Sequence, residues 1–201
     1  DIAFNGSNTY GGTTTIAPGA TLTVLSINAF PPSSSIVDNG ALIIALPSAN
    51  AQLSASQSIS GSGALQVTQG IVTLSGLNTY GGTTQIGPNG VLHIGASSAL
   101  PVHGAVINAG SLSFQQGQGI ALPGAISGSG GVVMNGFQGA VQLTGTNTYL
   151  GGTQLKAGTI QIATPAALGS GIIGFDGGTL ELLSSFTGAF AATATFSGQG
   201  G

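Results

Sequence analysis

Cysteine, tryptophan and arginine are absent from this 201-residue chain, and charged side chains make up 2% of it, against about 25% in an ordinary globular domain. One lysine, Lys156, stands against Asp1, Asp38, Asp176 and Glu181 for a formal net charge of −3. Each shortage closes a class of function. Neutralising phosphates takes several Lys or Arg side chains, so neither nucleic acid nor an anionic membrane surface is an expected partner. The lack of cysteine removes disulfides and thiolate chemistry and leaves stability to packing. No apolar run approaches the ~18 residues of a spanning helix. The longest clear stretch is Ala41 to Leu46, so this segment is not expected to insert into a membrane. The opening residues Asp1-Ile2-Ala3-Phe4 read as strand rather than as a signal peptide, and a piece of a longer precursor is expected.

What the chain has instead is glycine, at 37 positions, and hydrophobic residues at 41% with a mean hydropathy of +0.45. A disordered chain is poor in apolar residues, so this one is expected to fold. Ser, Thr, Asn, Gln and Gly occupy the places where charges usually sit, a mixture that suits many short strands closed by tight turns. The glycines show no every-third-residue period, which excludes collagen.

Three anchors recur in the same order. The first is Gly6-Ser7-Asn8-Thr9-Tyr10-Gly11-Gly12-Thr13-Thr14, matched by Gly76-Leu77-Asn78-Thr79-Tyr80-Gly81-Gly82-Thr83-Thr84 and by Gly145-Thr146-Asn147-Thr148-Tyr149-Leu150-Gly151-Gly152-Thr153. Its Asn recurs at spacings of 70 and 69 residues. The second is a turn followed by a strand: Asp38-Asn39-Gly40-Ala41-Leu42, Asn108-Ala109-Gly110-Ser111-Leu112 and Asp176-Gly177-Gly178-Thr179-Leu180. The third is Ile59-Ser60-Gly61-Ser62-Gly63, Ile126-Ser127-Gly128-Ser129-Gly130 and Phe196-Ser197-Gly198-Gln199-Gly200. These divide the chain into units of approximately 6–75 and 76–144 and an incomplete 145–201, read as one continuous segment of a longer array.

Between anchors the apolar residues alternate, as in Thr21-Leu22-Thr23-Val24, Val91-Leu92-His93-Ile94 and Thr159-Ile160-Gln161-Ile162. A period of two means half-buried strands, and Pro and Gly interrupt every window long enough for a sustained helix. Near-identical units of short strands favour stacking into an all-β solenoid. With roughly 20 to 25 residues per coil, a unit supplies about three coils and the chain about nine, a rod of order 40 Å. Equivalent residues are then expected three coils apart, with Asn8, Tyr10, Asn78, Tyr80, Asn147 and Tyr149 forming a structural ladder. In that reading the Asn amides satisfy turn backbone and the Tyr rings pack beside the neighbouring coil. The alternative is a spaced row of phenols that binds sugars or another fibre.

The run Gly-x-Asn-Thr-Tyr-x-Gly-Gly-Thr-Thr followed by x-Gly-x-Leu-x-Ile, present three times over nearly the whole chain, resembles the passenger-associated transport repeat of bacterial autotransporters. The resemblance implies a right-handed parallel β-helix (β-solenoid) and Gram-negative surface display or secretion, often within very large proteins. It implies no particular activity, because such stalks serve diverse roles. The membrane β-barrel domain that autotransporters carry at their C-terminal end is not in this sequence.

Aligning the units tests each chemical candidate against its equivalents. Asp38 aligns with Asn108 and Asp176, where turns favour Asp or Asn. Glu181 aligns with Ile43 and Ser113, an outward strand position suited to a solvated or edge-guarding charge. His93 aligns with Thr23 and Gln161, and His103 with Ser33 and Gly171, so neither has the partners a metal needs. Gly174-Phe175-Asp176-Gly177-Gly178 reads as a turn rather than a calcium loop. No serine elbow occurs with a His and an acid, and no cofactor site is legible. Parallel β-helices also house polysaccharide-cleaving enzymes, and glycoside hydrolysis takes two carboxylates about 5 to 10 Å apart. Asp176 and Glu181 form the one pair to consider, without an Arg to orient an acidic sugar.

The expectation is a non-enzymatic stalk or fibre-forming segment of a secreted or surface protein, with copies of itself or flanking repeats as partners, end to end or lateral, and surface glycans as a further one. A carbohydrate-active enzyme or polysaccharide-binding module is the alternative. A surface of uncharged hydroxyls and amides carries little self-repulsion, so lateral association and weak dependence on pH and salt are expected.

Overall fold

The computed structural model describes residues 1–31, 34–96, 99–101, 104–115, 119–183 and 193–196. Among them the one helical element is a single 3₁₀ turn, Pro165–Leu168. Everything else regular is strand, and every strand pairing is parallel. The chain winds as a β-solenoid of about nine turns.

Register defines three faces. On the first, Thr14 pairs with Ile36 and Ile36 with Ile59; a bond from Thr79 N to Ile59 O carries this ladder on to the Asn78 segment, and it resumes as Ile120–Val141–Ile160–Leu180. The second runs Ile2–Leu22–Leu42–Leu65–Thr84–Val106–Ile126. The third runs Leu53–Val72–Leu92–Leu112–Val132–Thr153–Ile173–Ala194. Successive steps consume 19 to 23 residues. The four longest strands, Ala64–Leu74, Thr84–Ile94, Gly131–Leu143 and Thr153–Ile162, each bend from one face to the next.

Alternation along each strand sends one set of side chains inward. In Ala41–Ala45 these are Leu42 and Ile44, in Ala64–Leu74 they are Leu65, Val67, Val72 and Leu74, and in Ser111–Phe114 they include Leu112 and Phe114. Each inward Leu, Ile or Val contributes roughly 1.5–3 kcal/mol by leaving water. Because every coil repeats the pattern, the inward residues join into one continuous axial core.

Turn chemistry fixes the corners. Gly61 and Gly128, equivalent in the third anchor, have φ of 102° and 106°, a region that side chains rarely enter. A Cβ there would also fall on the carbonyl of Asp38 or Asn108 in the preceding coil.

One expectation is corrected. Equivalent residues do not sit three coils apart on one ladder. From Thr14, three steps along its ladder lead through Ile36 and Ile59 to Asn78–Thr79, short of the equivalent Thr84. Thr84 lies on the second face and Thr153 on the third. A unit is therefore three coils plus about a third of a turn, and each repeat presents its motif on a new side of the rod.

Candidate functional site

The Asn and Tyr of the first anchor recur in all three units, together with a Thr four residues after the Tyr: Thr14, Thr84 and Thr153. Because the unit precesses, these residues form three separate braces rather than one ladder.

Asn78 is buried between strands Ala64–Leu74 and Thr84–Ile94. Its Oδ1 accepts from the Ile59 amide of the preceding coil at 2.9 Å, and its Nδ2 donates to the Ala99 carbonyl of the following coil at 2.6 Å. Asn147 repeats this, accepting from Ile126 N at 2.7 Å and donating to Ala167 O at 2.6 Å. Asn8, half-buried in the first described coil, donates to Ala29 O at 2.8 Å and to Gly6 O at 3.5 Å. The primary amide carries an acceptor and donors on one short stem. It thereby satisfies one backbone group on each neighbouring coil, where an unmet buried group would cost about 1–3 kcal/mol.

The phenols face inward. Tyr80 and Tyr149 are 1% and 0% exposed, so they present no outward row for sugars. The Tyr80 hydroxyl lies 2.7 Å from Thr84 Oγ1 and that of Tyr149 2.6 Å from Thr153 Oγ1, with both threonines buried. Tyr10 makes the same bond to Thr14 at 2.6 Å but stays half-buried, its ring edge-on to Phe4. Burial pushes the Tyr80 and Tyr149 phenols up to about 12, against the opposing pull of the threonine hydroxyls; for Tyr80 the Asp38 charge adds to the rise. The pairing of each Tyr with a Thr four residues on is visible in the sequence, but only its burial shows that the pair spans a corner of the core.

The remaining candidates stand apart from this motif. Asp38 Oδ1 accepts from Gly40 N at 3.0 Å and Asn108 Oδ1 from Gly110 N at 3.1 Å, the two-residue turn bond the alignment implies. Both side chains are buried, whereas Asp176 is exposed. Glu181, also exposed, accepts from Gln161 Nε2 at 2.8 Å. His93 Nδ1 lies 2.8 Å from Gln115 Nε2. Partial burial lowers the imidazole's titration point. His103 lies outside the described residues. Among the described residues no three His, Cys, Asp or Glu side chains gather as a metal site would require. A shallow groove of about 580 Å³ runs over Gly90, Gly110 and Gly130, lined by the polar Asn50, Asn89 and Ser111 and the apolar Ile71, Pro88 and Val91, without an acid or a base.

These features define a parallel β-solenoid whose repeated motif ties each coil to its neighbours. Residues 3–24, 69–94 and 138–162 match the passenger-associated transport repeat, so three stretches of the chain carry that repeat, each running from the strand before the Asn-Thr-Tyr brace to the alternating strand residues Thr21–Val24, Val91–Ile94 or Thr159–Ile162. Over 51 residues, 24% of the chain, it is 45% identical to the Adhesin BmaC autotransporter of Brucella suis biovar 1 (strain 1330), and that stretch spans 2% of the relative's length. No solved structure matches the chain.

Proposed function

We propose that this chain is a non-enzymatic stalk segment of a large bacterial surface or secreted protein, extending a rod that adheres or self-associates. The observation that carries the reading is the destination of the recurrent polar groups. Asn78 and Asn147 bond to backbone on both neighbouring coils, and Tyr80 and Tyr149 close on internal threonines. The sequence signature is thus consumed in holding coil to coil, as a spacer needs. The adhesin relative agrees with surface display, and no helix among the described residues is long and apolar enough to cross a membrane.

Partners in this reading are further copies of the rod or flanking repeats, met through uncharged hydroxyls and amides, with neutral surface glycans a second class. Sedimentation velocity of the 201-residue chain across concentration and salt tests it. We expect an elongated particle whose association grows with concentration and changes little with salt. A particle of equal axes would overturn the rod. Depolymerisation of an acidic polysaccharide, abolished by Asp176→Ala, would favour the enzymatic alternative instead.

A further inference from the structure

Asp38 sits beneath a turn at 1% exposure, and its second carboxyl oxygen, Oδ2, is buried without a hydrogen-bond partner. Its equivalent Asn108 shows what that position faces. Asn108 Oδ1 accepts from Gly110 N, while Nδ2 donates to the Gly131 carbonyl of the following coil at 2.8 Å. The backbone around the two is the same. Gly63 N donates to Asp38 O at 2.7 Å as Gly130 N does to Asn108 O at 2.8 Å, and Ala64 N reaches Gly40 O at 3.2 Å as Gly131 N reaches Gly110 O at 3.2 Å. A Cβ on Gly63 would fall on the Asp38 carboxyl, as one on Gly130 would fall on the Asn108 amide. The Ala64 carbonyl therefore stands where the Gly131 carbonyl stands, and Asp38 Oδ2 occupies the place of a donor.

We propose that Asp38 folds as a neutral carboxylic acid whose Oδ2–H donates to the Ala64 carbonyl, making this coil junction a pH-sensitive latch. Two acceptor oxygens cannot share that site without a proton between them, and a buried carboxylate would face the Ala64 lone pairs with no compensating charge. Among the described residues, strands Thr14–Ile16 and Ile59–Ser60, which flank Ile36–Asp38, carry no titratable side chain, nor do Ala41–Ala45 and the 61–64 turn. The titratable group that senses Asp38 is Tyr80, itself neutral. Burial raises the Asp38 titration point, with the Gly40 and Leu42 amides pulling the other way. The sign follows from linkage: an acid raised above its unfolded value of 3.8 contributes stability fully present below that pH, and loses it as pH rises through the folded value.

The test uses the full 201-residue chain and three proteins. Denaturant midpoints are measured from acid to neutral pH for the parent chain, Asp38→Asn and Asn108→Asp. The parent's midpoint should fall as pH rises, Asp38→Asn should remove that fall, and Asn108→Asp should steepen it. In parallel, the ¹³C carboxyl resonance of Asp38 in the parent should titrate above the ordinary aspartate range. Parallel midpoint profiles for parent and Asp38→Asn, or an Asp38 resonance that titrates at its ordinary value, would overturn the latch.

Discussion

Asn78 Oδ1 accepts the Ile59 amide at 2.9 Å across 19 residues of chain, so a side chain completes a backbone ladder where strand pairing has lapsed. Replacing it tests how much the rod depends on such braces. Asn78→Ala leaves Ile59 N and Ala99 O unpaired in a buried site and should cost about 2–4 kcal/mol, read as a lowered guanidinium midpoint. Asn78→Asp keeps the acceptor but sets a second oxygen against Ala99 O. It should destabilise near neutral pH and recover partly in acid. Asn8→Ala removes bonds at a half-exposed site and should cost about 1 kcal/mol or less.

The buried phenols predict a basic limit to stability. Tyr80 and Tyr149 are raised above the ordinary value of 10.0 to about 12. The stability held by their neutral forms is complete below pH 10 and is lost as pH rises through about 12. Ultraviolet titration should therefore show two of the three tyrosines ionising together with loss of β-sheet circular dichroism. Tyr149→Phe should remove one of these steps while costing about 1–3 kcal/mol at neutral pH, because Thr153 then stands buried without its partner. Ionisation of every tyrosine in the ordinary range with the sheet intact would contradict the burial.

Equivalent glycines predict unequal costs. A Cβ on Gly82 would fall on the Gly63 carbonyl of the preceding coil, whereas one on Gly12 meets nothing within 4 Å. In the 201-residue chain Gly82→Ala should destabilise by about 1–3 kcal/mol through overpacking, and Gly12→Ala should stay within about 0.5 kcal/mol. Thermal melts of the two variants side by side decide it; equal shifts would mean that the coils are further apart at Gly82 than the structure has them.

Strands and turns were legible because each has a local cause. Leu22 and Val24 alternate with Thr21 and Thr23, and Gly61 and Gly128 follow the same Ile-Ser pair. Precession was not legible, because spacing along the chain gives the length of a unit but not of a coil. Coil length is set by the corners, which make the step from Ile36 to Ile59 take 23 residues and that from Leu65 to Thr84 take 19. The environment of Asp38 was hidden for a related reason. An Asp two residues before a Gly announces a turn, but the residue that covers it, Gly63, belongs to the next coil. A signal for the braces was present: the same Asn-Thr-Tyr in every unit, with a hydroxyl always four residues beyond the Tyr.

Precession makes a last prediction about deletions, because unit length and coil length then impose different rules. Removing residues 76–144 joins Ser75 to Gly145 and excises one whole unit. Asn147 then takes the place of Asn78 against Ile59, Thr153 that of Thr84 beside Leu65, and Ile160 that of Leu92 over Val72. Every inward position receives its equivalent, and the shortened rod should keep a cooperative melt at a lower midpoint, as expected when stability sums over units. Removing residues 84–147 excises about three coils instead, judged by the ladder from Thr84 through Val106 and Ile126 to the Thr148 segment. It joins Thr83 to Thr148, sets an exposed residue at the buried place of Thr84 and removes Asn147, so that Ala167 O loses its donor. A buried carbonyl left unpaired costs about 1–3 kcal/mol, so this variant should melt at a lower midpoint than the unit-length deletion although its chain is longer. If the coil-length deletion is the more stable of the two, equivalent residues share one ladder after all.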